Sequence, residues 1–443
     1  MEQDTIFAPA TAPGRAALAI VRISGPHAFE ALRDLAGNVP PARRVSLRVL
    51  QDSSRNEVLD EAMVAAFPGP ASATGEDLVE LYLHGGRAVL AAVCGRLGAL
   101  PGLRLADPGE FTRRAFLNDR IDLTRAEGIL DLVDAETDAQ RRQAIAQATG
   151  GLEAALDGWR EVLVAAMARL EAFIDFPDED LPETLQQQIR DSLSSLEAEM
   201  DAALVDGSRA ERIREGLRIA IVGVPNAGKS SLLNWLAKRD VAIVSATAGT
   251  TRDVLEVHLD IDGYAATVAD TAGLRETPDE IEAEGVRRAL ARAEAADLTL
   301  VLADAGEGEA GRAAMQRYLA EDTALAVATK IDLIDGLVPE PWIGLSTRTG
   351  AGTQAFMAAL AAALAERMDR VGSVALNRAR HREAVAVSRD AVRRCREGLA
   401  SGVPLEIAAE DLRLAAASLG RVLGRVDVEE ILDRIFGEFC LGK

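Results

Sequence analysis

The chain has 443 residues, more than one core at roughly 100–200 residues per domain accommodates, so two or three domains are expected. Its formal net charge of −21 argues against broad coating of nucleic acid and leaves room only for a local basic patch. Three widely spaced cysteines, Cys94, Cys395 and Cys440, give no disulfide framework and no metal-ligand cluster, which fits a reducing cytoplasm. The opening MEQDTIFAPA has no basic run ahead of an apolar core, and no apolar run reaches about 18 residues. Neither a signal peptide nor a membrane helix is expected.

In chain order, residues 1–117 mix short β-like runs (Ala17–Ile23, Ala62–Phe67, Leu78–Leu83) with turn clusters such as Phe67-Pro68-Gly69-Pro70 and one helical stretch after Gly86. That texture predicts a small α/β domain. From 118 to 215 apolar residues recur at three and four, as in Leu123, Ala126, Leu130 and Val133. Helices over Leu152–Phe173 and Leu185–Val205 follow, with bundle spacing. At Leu217 the texture breaks. Strand-like Arg218–Gly223, Ala265–Ala269, Leu298–Ala303, Ala324–Ala328 and Trp342–Leu345 alternate with helical segments over 216–370, which predicts a parallel sheet with crossover helices. Helical texture returns over 371–443, with Arg380–Leu399, Leu405–Leu419 and Val428–Phe439. Each helical block alone is small for a stable bundle. The α/β block is therefore expected as an insertion in one discontinuous helical domain, with four independent domains as the alternative.

Chemistry concentrates in the third block. Gly223-Val-Pro-Asn226-Ala227-Gly228-Lys229-Ser230 is G-x-x-x-x-G-K-S, directly after a strand and before a helix. Its glycines let backbone N–H groups wrap phosphates, and the helix N-terminus adds partial positive charge. Lys229 is placed for the β- and γ-phosphates and Ser230 for Mg²⁺. Asp270-Thr271-Ala272-Gly273 ends an apolar strand, as a Mg²⁺-side aspartate and a γ-phosphate-sensing glycine should. Gly249-Thr250-Thr251-Arg252-Asp253 lies between, with a threonine to close on the metal. After the strand Ala324–Ala328 comes Thr329-Lys330-Ile331-Asp332, whose carboxylate can accept two N–H bonds from guanine that adenine does not offer. Ser346-Thr347-Arg348 then supplies a backbone N–H for guanine O6. Four weak signals in this order make a GTPase. Related GTPases usually carry Asn where this chain has Thr329, which donates a single hydroxyl bond. Leu274 follows the Gly273 position, where Ras-like proteins place a catalytic Gln. The attacking water must be handled by another group, and Glu276, Asp279, Glu280, Glu282 and Glu284 are the nearby acids.

These residues, GVPNAGKSS, AGTTRD, DTAGLRE, TKID and STR, resemble the G domain of the MnmE (TrmE) family of tRNA-modification GTPases. The resemblance spans the whole chain: PGRAALAIVRISG, FPGPASATGEDLVELYLHGG, PGEFTRRAFLNDRIDLTRAEGILDLVDAET and the closing Cys440-Leu441-Gly442-Lys443 are all similar to the family's. It implies an N-terminal tetrahydrofolate-binding-like, dimerising domain, a discontinuous helical domain and an inserted Ras-like P-loop G domain. The implied GTP-binding set is Asn226, Ala227, Gly228, Lys229, Ser230, Ser231, Ser245, Ala246, Thr247, Ala248, Gly249, Thr250, Thr251, Asp270, Thr271, Ala272, Gly273, Thr329, Lys330, Asp332, Ser346, Thr347 and Arg348. Ser230 and Thr251 would bind Mg²⁺; Asn226, Ser245, Thr247 and Thr250 would bind K⁺, which takes the place of an arginine finger. Glu282 falls where the family places the glutamate that orients water.

The resemblance also implies binding of 5-formyl- or methylene-tetrahydrofolate by Arg22, Glu80, Arg120 and Lys443, with Arg120 standing where a lysine is usual. It implies a catalytic or positioning part for Cys440, otherwise an ordinary thiol. The partners implied are a second copy of the chain, the FAD protein MnmG in a heterotetramer or larger complex, and tRNA, all in the cytoplasm and without a membrane. The reaction implied is addition of a carboxymethylaminomethyl or aminomethyl group to C5 of the wobble uridine. The rival readings are a ribosome-assembly GTPase switch without modification chemistry and a folate-binding scaffold with a vestigial G domain. A basic run, Arg378, Arg380, His381, Arg382, Arg389, Arg393, Arg394 and Arg396, reads either as a helix face paired with carboxylates or as a tRNA contact.

Overall fold

Residues 4–175, 183–239, 256–269, 296–319, 323–368, 375–426, 429–440 and 442 are described by the structure, a computed structural model of the full chain. They fall into two compact units, residues 1–130 with 420–443 and residues 131–419.

In the first unit, β1 (Thr5–Pro9), β2 (Leu18–Ser24), β3 (Ser46–Asp52), β4 (Glu57–Phe67), β5 (Leu78–His84) and β6 (Leu103–Leu105) form one sheet in the order β3-β4-β5-β2-β1-β6. Pairing is antiparallel except for β1 with β6. Alternation fixes which face is core: Val79, Leu81 and Leu83 of β5 are buried with Val21 and Ile23 of β2. The helices Ala28–Ala36 and Arg87–Gly98 cover that face with Ala28, Leu32, Leu35, Val93 and Leu97. Each fully buried Leu or Ile contributes about 1.5–3 kcal/mol. The β2–β5 register sets Arg22 opposite Glu80.

The helix Glu429–Gly437 joins the same unit. Leu432, Ile435, Phe436 and Phe439 pack on Leu123, Ala126 and Leu130, with Phe116 alongside. The rings of Phe116 and Phe436 stand 6.3 Å apart. Gly442 has φ +92°, and a Cβ there would overlap the Pro9 carbonyl oxygen, so only glycine fits.

In the second unit, β7 (Leu217–Gly223), β8 (Glu256–Ile261), β9 (Tyr264–Ala269), β10 (Leu298–Asp304), β11 (Ala324–Thr329) and β12 (Ile343–Leu345) make a sheet in the order β12-β11-β10-β7-β9-β8. All neighbours are parallel except the β8–β9 hairpin. The strands read from sequence fall in place, and β8 is added to them. Continuous apolar runs such as Leu300, Val301 and Leu302 are buried because helices lie on the sheet's faces. Long helices, Gly151–Asp175, Glu183–Glu215 and Ala379–Ser401, complete the unit. The Glu183–Glu215 helix runs past its expected end at Val205 and stops one residue short of β7. There Asp297 joins helix to sheet: its Oδ1 pairs with Arg212 Nε at 2.8 Å and its Oδ2 accepts from Arg218 N at 3.0 Å.

Candidate functional site: a phosphate loop and a base cleft

The phosphate loop follows β7, the strand flanked by β10 on one side and β9 on the other. In parallel sheets such a switch point leaves a crevice at the strands' C-terminal ends. Asn226 takes the left-handed conformation at φ +64°, and Gly228 caps the helix Lys229–Ala237 at φ +90°. Both turn the chain so that backbone amides precede a helix N-terminus, which carries partial positive charge. The Lys229 ammonium lies across its own loop, donating to the carbonyls of Gly223 at 2.8 Å and Val224 at 3.0 Å. It therefore sits where phosphate oxygens would take over from those carbonyls. Ser230 and Ser231 occupy the helix's first turn. At its C-terminal end β9 pairs Ala269 with Ala220 of the strand that feeds the phosphate loop.

The base end is built from the ends of β10, β11 and β12. Thr329, buried at the end of β11, directs its hydroxyl to the carbonyls of Ala227 at 2.8 Å and Ala303 at 3.2 Å. The hydroxyl thus braces the phosphate loop against the sheet. Lys330 has φ +56° and opens the short turn Ile331–Leu333. Asp332 Oδ1 accepts from Ser346 Oγ at 2.6 Å, and Oδ2 accepts from Arg348 Nε at 2.9 Å. The Ser346 hydroxyl bond, then Arg348, hold the Asp332 carboxyl below the usual carboxylate range against an opposing effect of burial, so it is ionised near neutral pH. A cavity of about 310 Å³ is lined by Gly228, Ser231, Thr329, Lys330, Asp332, Leu333, Leu345, Ser346, Thr347 and Arg348. The Ser346 N–H is spent on Ala351 O at 2.9 Å, so a backbone donor toward a base carbonyl falls to Thr347 or Arg348. Ser245 to Thr251, Asp270 to Gly273 and Glu282 lie outside the described residues, as does Lys443.

A second cavity, about 440 Å³, lies in the first unit and is lined by Arg22, Thr74, Phe111, Arg120, Arg125 and Ile129 among others. Glu80 stands behind it: its Oε1 accepts from Arg22 Nε at 2.9 Å and its Oε2 from Tyr82 Oη at 2.6 Å. Burial, reinforced by Glu80, pushes the Tyr82 hydroxyl up to about 12, so it stays a donor. Arg22 and Arg120, from distant positions, meet at this cavity, and Glu80 orients Arg22. Sequence reasoning alone misses Tyr82 and Arg125; the only signal for Tyr82 is its same-face spacing from Glu80 on β5. Cys440 is exposed, whereas burial pushes the thiols of Cys94 and Cys395 up to about 11 and 12.

The basic run is paired. Arg378 meets Asp131, Arg382 meets Glu211, Arg389 meets Asp201, Arg393 and Arg396 share Glu197, and Arg394 meets Asp411. Glu197, Asp201 and Glu211 all lie on the helix Glu183–Glu215. The run bridges helices, which is the first of its two readings. Among the described residues, no helix is long and apolar enough to cross a membrane.

Residues 123–440 match the family described as the MnmE helical domain, and residues 5–120 match the family described as the GTP-binding protein TrmE N-terminus. The tRNA modification GTPase MnmE of Rhodospirillum rubrum is 52% identical over 461 residues, covering 100% of both chains. That of Paramagnetospirillum magneticum is 53% identical over 445 residues, covering 99% of this chain and 100% of its own. Among solved structures, a variant of Aquifex aeolicus Era bound to GDP.AlF4- is 27% identical, covers 40% of this chain and 66% of its own, and has a TM-score of 0.27.

Proposed function

The chain belongs to the MnmE family of tRNA modification GTPases, and from that premise we propose that it is a K⁺-dependent, Mg²⁺-requiring enzyme acting as a homodimer with the FAD protein MnmG in the cytoplasm. Together they add a carboxymethylaminomethyl or aminomethyl group to C5 of the wobble uridine of certain tRNAs. GTP hydrolysis drives pairing and separation of the G domains rather than the carbon chemistry. We divide the chain accordingly into a folate-binding-like, dimerising domain (1–117), a helical domain in two parts (118–215 and 371–443) and an inserted G domain (216–370).

The observation that carries the nucleotide reading is the ionised Asp332 at the rim of a cleft that also reaches Gly228 of the phosphate loop. On nucleotide binding, Asp332 exchanges Arg348 for the N1–H and N2–H of guanine. The exchange is cheap because the Arg348 side chain is 73% exposed and returns to water, while Ser346 keeps its bond. Lys229 leaves the Gly223 and Val224 carbonyls for the β- and γ-phosphates. Asn226, at the exposed bend of the loop, would hold K⁺ together with Ser245, Thr247 and Thr250, and Ser230 with Thr251 would hold Mg²⁺. Bound there, the cations supply the positive charge that an arginine finger brings elsewhere. Glu282 orients the attacking water. In the first unit, Arg22, Arg120 and Lys443 would hold the anionic and carbonyl groups of a formyl- or methylene-tetrahydrofolate, and Glu80, behind the cavity, serves the ligand by placing Arg22. Cys440, exposed near the C-terminus, takes a catalytic or substrate-positioning part in the modification.

The test is nucleoside analysis of tRNA from a strain lacking this chain, combined with turnover in K⁺ and in Na⁺ at equal ionic strength. The reading expects loss of C5-modified wobble uridine and strong activation by K⁺ that Asn226→Ala abolishes. Intact wobble uridines, or equal rates in both salts, would remove the corresponding half of the proposal.

A further inference from the structure

Lys330 is one wall of the base cleft, and its ammonium is not left to water. It donates to Asp304 Oδ2 at 2.7 Å, and the pair is well screened from solvent on the carboxylate side, where Asp304 is 16% exposed against 37% for Lys330. Asp304 is itself fixed. It closes β10, it stands opposite Thr329 in the β10–β11 register, and its Oδ1 accepts from Gly306 N at 2.9 Å. The end of β10 therefore grips the end of β11 at two successive residues: Ala303 O accepts from Thr329, and Asp304 accepts from Lys330.

We propose that Asp304 is a positioning residue for nucleotide binding: by holding the Lys330 ammonium it fixes the lysine stem as a preformed wall against the face of the purine. A lysine stem covers a flat apolar surface well, but ordering it on binding costs affinity unless the order already exists. An ammonium anchored at its tip by a carboxylate on the neighbouring strand supplies that order. This rests on the reading of the cleft as the guanine site. It assigns Asp304 no contact with the nucleotide and no part in the chemistry at the γ-phosphate.

The full-length protein tests it with Asp304→Asn, Lys330→Ala and the double variant, titrated with GDP. Asparagine keeps an oxygen for the Gly306 N–H and removes the charge; Asp304→Ser, which can still cap that turn, serves as a second variant. Asp304→Asn should raise the dissociation constant for GDP by about three- to tenfold, the range for one immobilised long side chain. The KM for GTP should rise by the same factor with kcat nearly constant. In the Lys330→Ala background, Asp304→Asn should have no further effect, whereas a merely structural aspartate gives losses that add. Additive losses, or unchanged affinity in both Asp304 variants, would overturn the proposal. Asp332→Asn titrated with XDP reads the guanine site separately. If it gains no XDP affinity while the Asp304–Lys330 cycle stays coupled, the base assignment fails and the hold on Lys330 stands.

Discussion

In the parallel sheet, the side chains around the cleft come in short consecutive runs at strand ends: Gly223–Ser231 after β7, Thr329–Asp332 after β11, Ser346–Arg348 after β12. In the N-terminal sheet, the cavity draws Arg22 from β2, Thr74 from a turn, Phe111 from a helix and Arg120 and Arg125 from beyond it. The first site is assembled by the chain's local turns, and the second by long-range register and packing. A loop that wraps a phosphate must be contiguous because backbone N–H groups do the wrapping. A cavity that recognises a ligand through side chains has no such constraint.

The local site should respond most strongly to a single substitution. Glu282→Ala should retain GTP binding and lose turnover by a factor on the order of 10²–10⁴, measured as single-turnover hydrolysis. Normal turnover would move the water to another acid and weaken the claim that this site is written in local runs. Next comes the scaffold of the second site. Arg114 is buried and donates to Glu76, Glu110 and the Asp4 carbonyl. Arg114→Met should destabilise the first unit by about 3 kcal/mol, because it strips a counter-charge from buried carboxylates. Hydrogen exchange in β1 and β5 reads that loss, and unchanged protection would contradict it.

Glu110 belongs to the same network. Burial raises its pKa, but Arg104, the Asp107 N–H and Arg114 outweigh burial and lower it to about 2. A carboxyl lowered on folding stabilises fully above its unfolded value near 4.5 and loses that contribution as the pH falls toward 2. The melting temperature of the first unit should therefore fall through that window, and Glu110→Gln should flatten the fall. The smallest effect is on the ligand itself: Arg22→Ala should weaken 5-formyl-tetrahydrofolate binding by about tenfold, the loss of one charge-assisted hydrogen bond, and leave GTP turnover unchanged. A comparable loss of GTP turnover would mean that the two sites are not separable.

The same contrast explains what can be read in the sequence. The runs that line the cleft are legible because each sits beside an uninterrupted apolar strand, and those strands lie where the runs place them. The N-terminal sheet is less legible. Its edge strand β3 exposes Leu47 and Val49 and interleaves them with polar residues, so it lacks a strand-like apolar run. The helix Ala28–Ala36 is only 9 residues long, too short for helical period to stand out. Thr329 stands in the base run of the sequence, and that its hydroxyl donates to the Ala227 and Ala303 carbonyls is a partner choice that only the neighbouring strand and loop reveal. The arginines after Arg378 leave two readings open because their partners Glu211, Asp201 and Glu197 lie between 171 and 199 residues earlier. Asp304 carries no motif at all; its meaning comes from its register beside Thr329.

If an ionised Asp332 reads the guanine edge of a nucleotide whose phosphates rest on the Gly223–Ser230 loop, its charge decides the choice of base. The decisive measurement is hydrolysis of GTP and XTP by wild-type protein and by Asp332→Asn. The amide introduced by that substitution would present a donor to the xanthine carbonyl and would lose acceptance from the guanine N–H pair. In the variant, kcat/KM for GTP should fall about a hundredfold, from two lost bonds to a charged group, while kcat/KM for XTP rises above it. Equal loss with both nucleotides, and no exchange of preference, would show that Asp332 does not read the base edge.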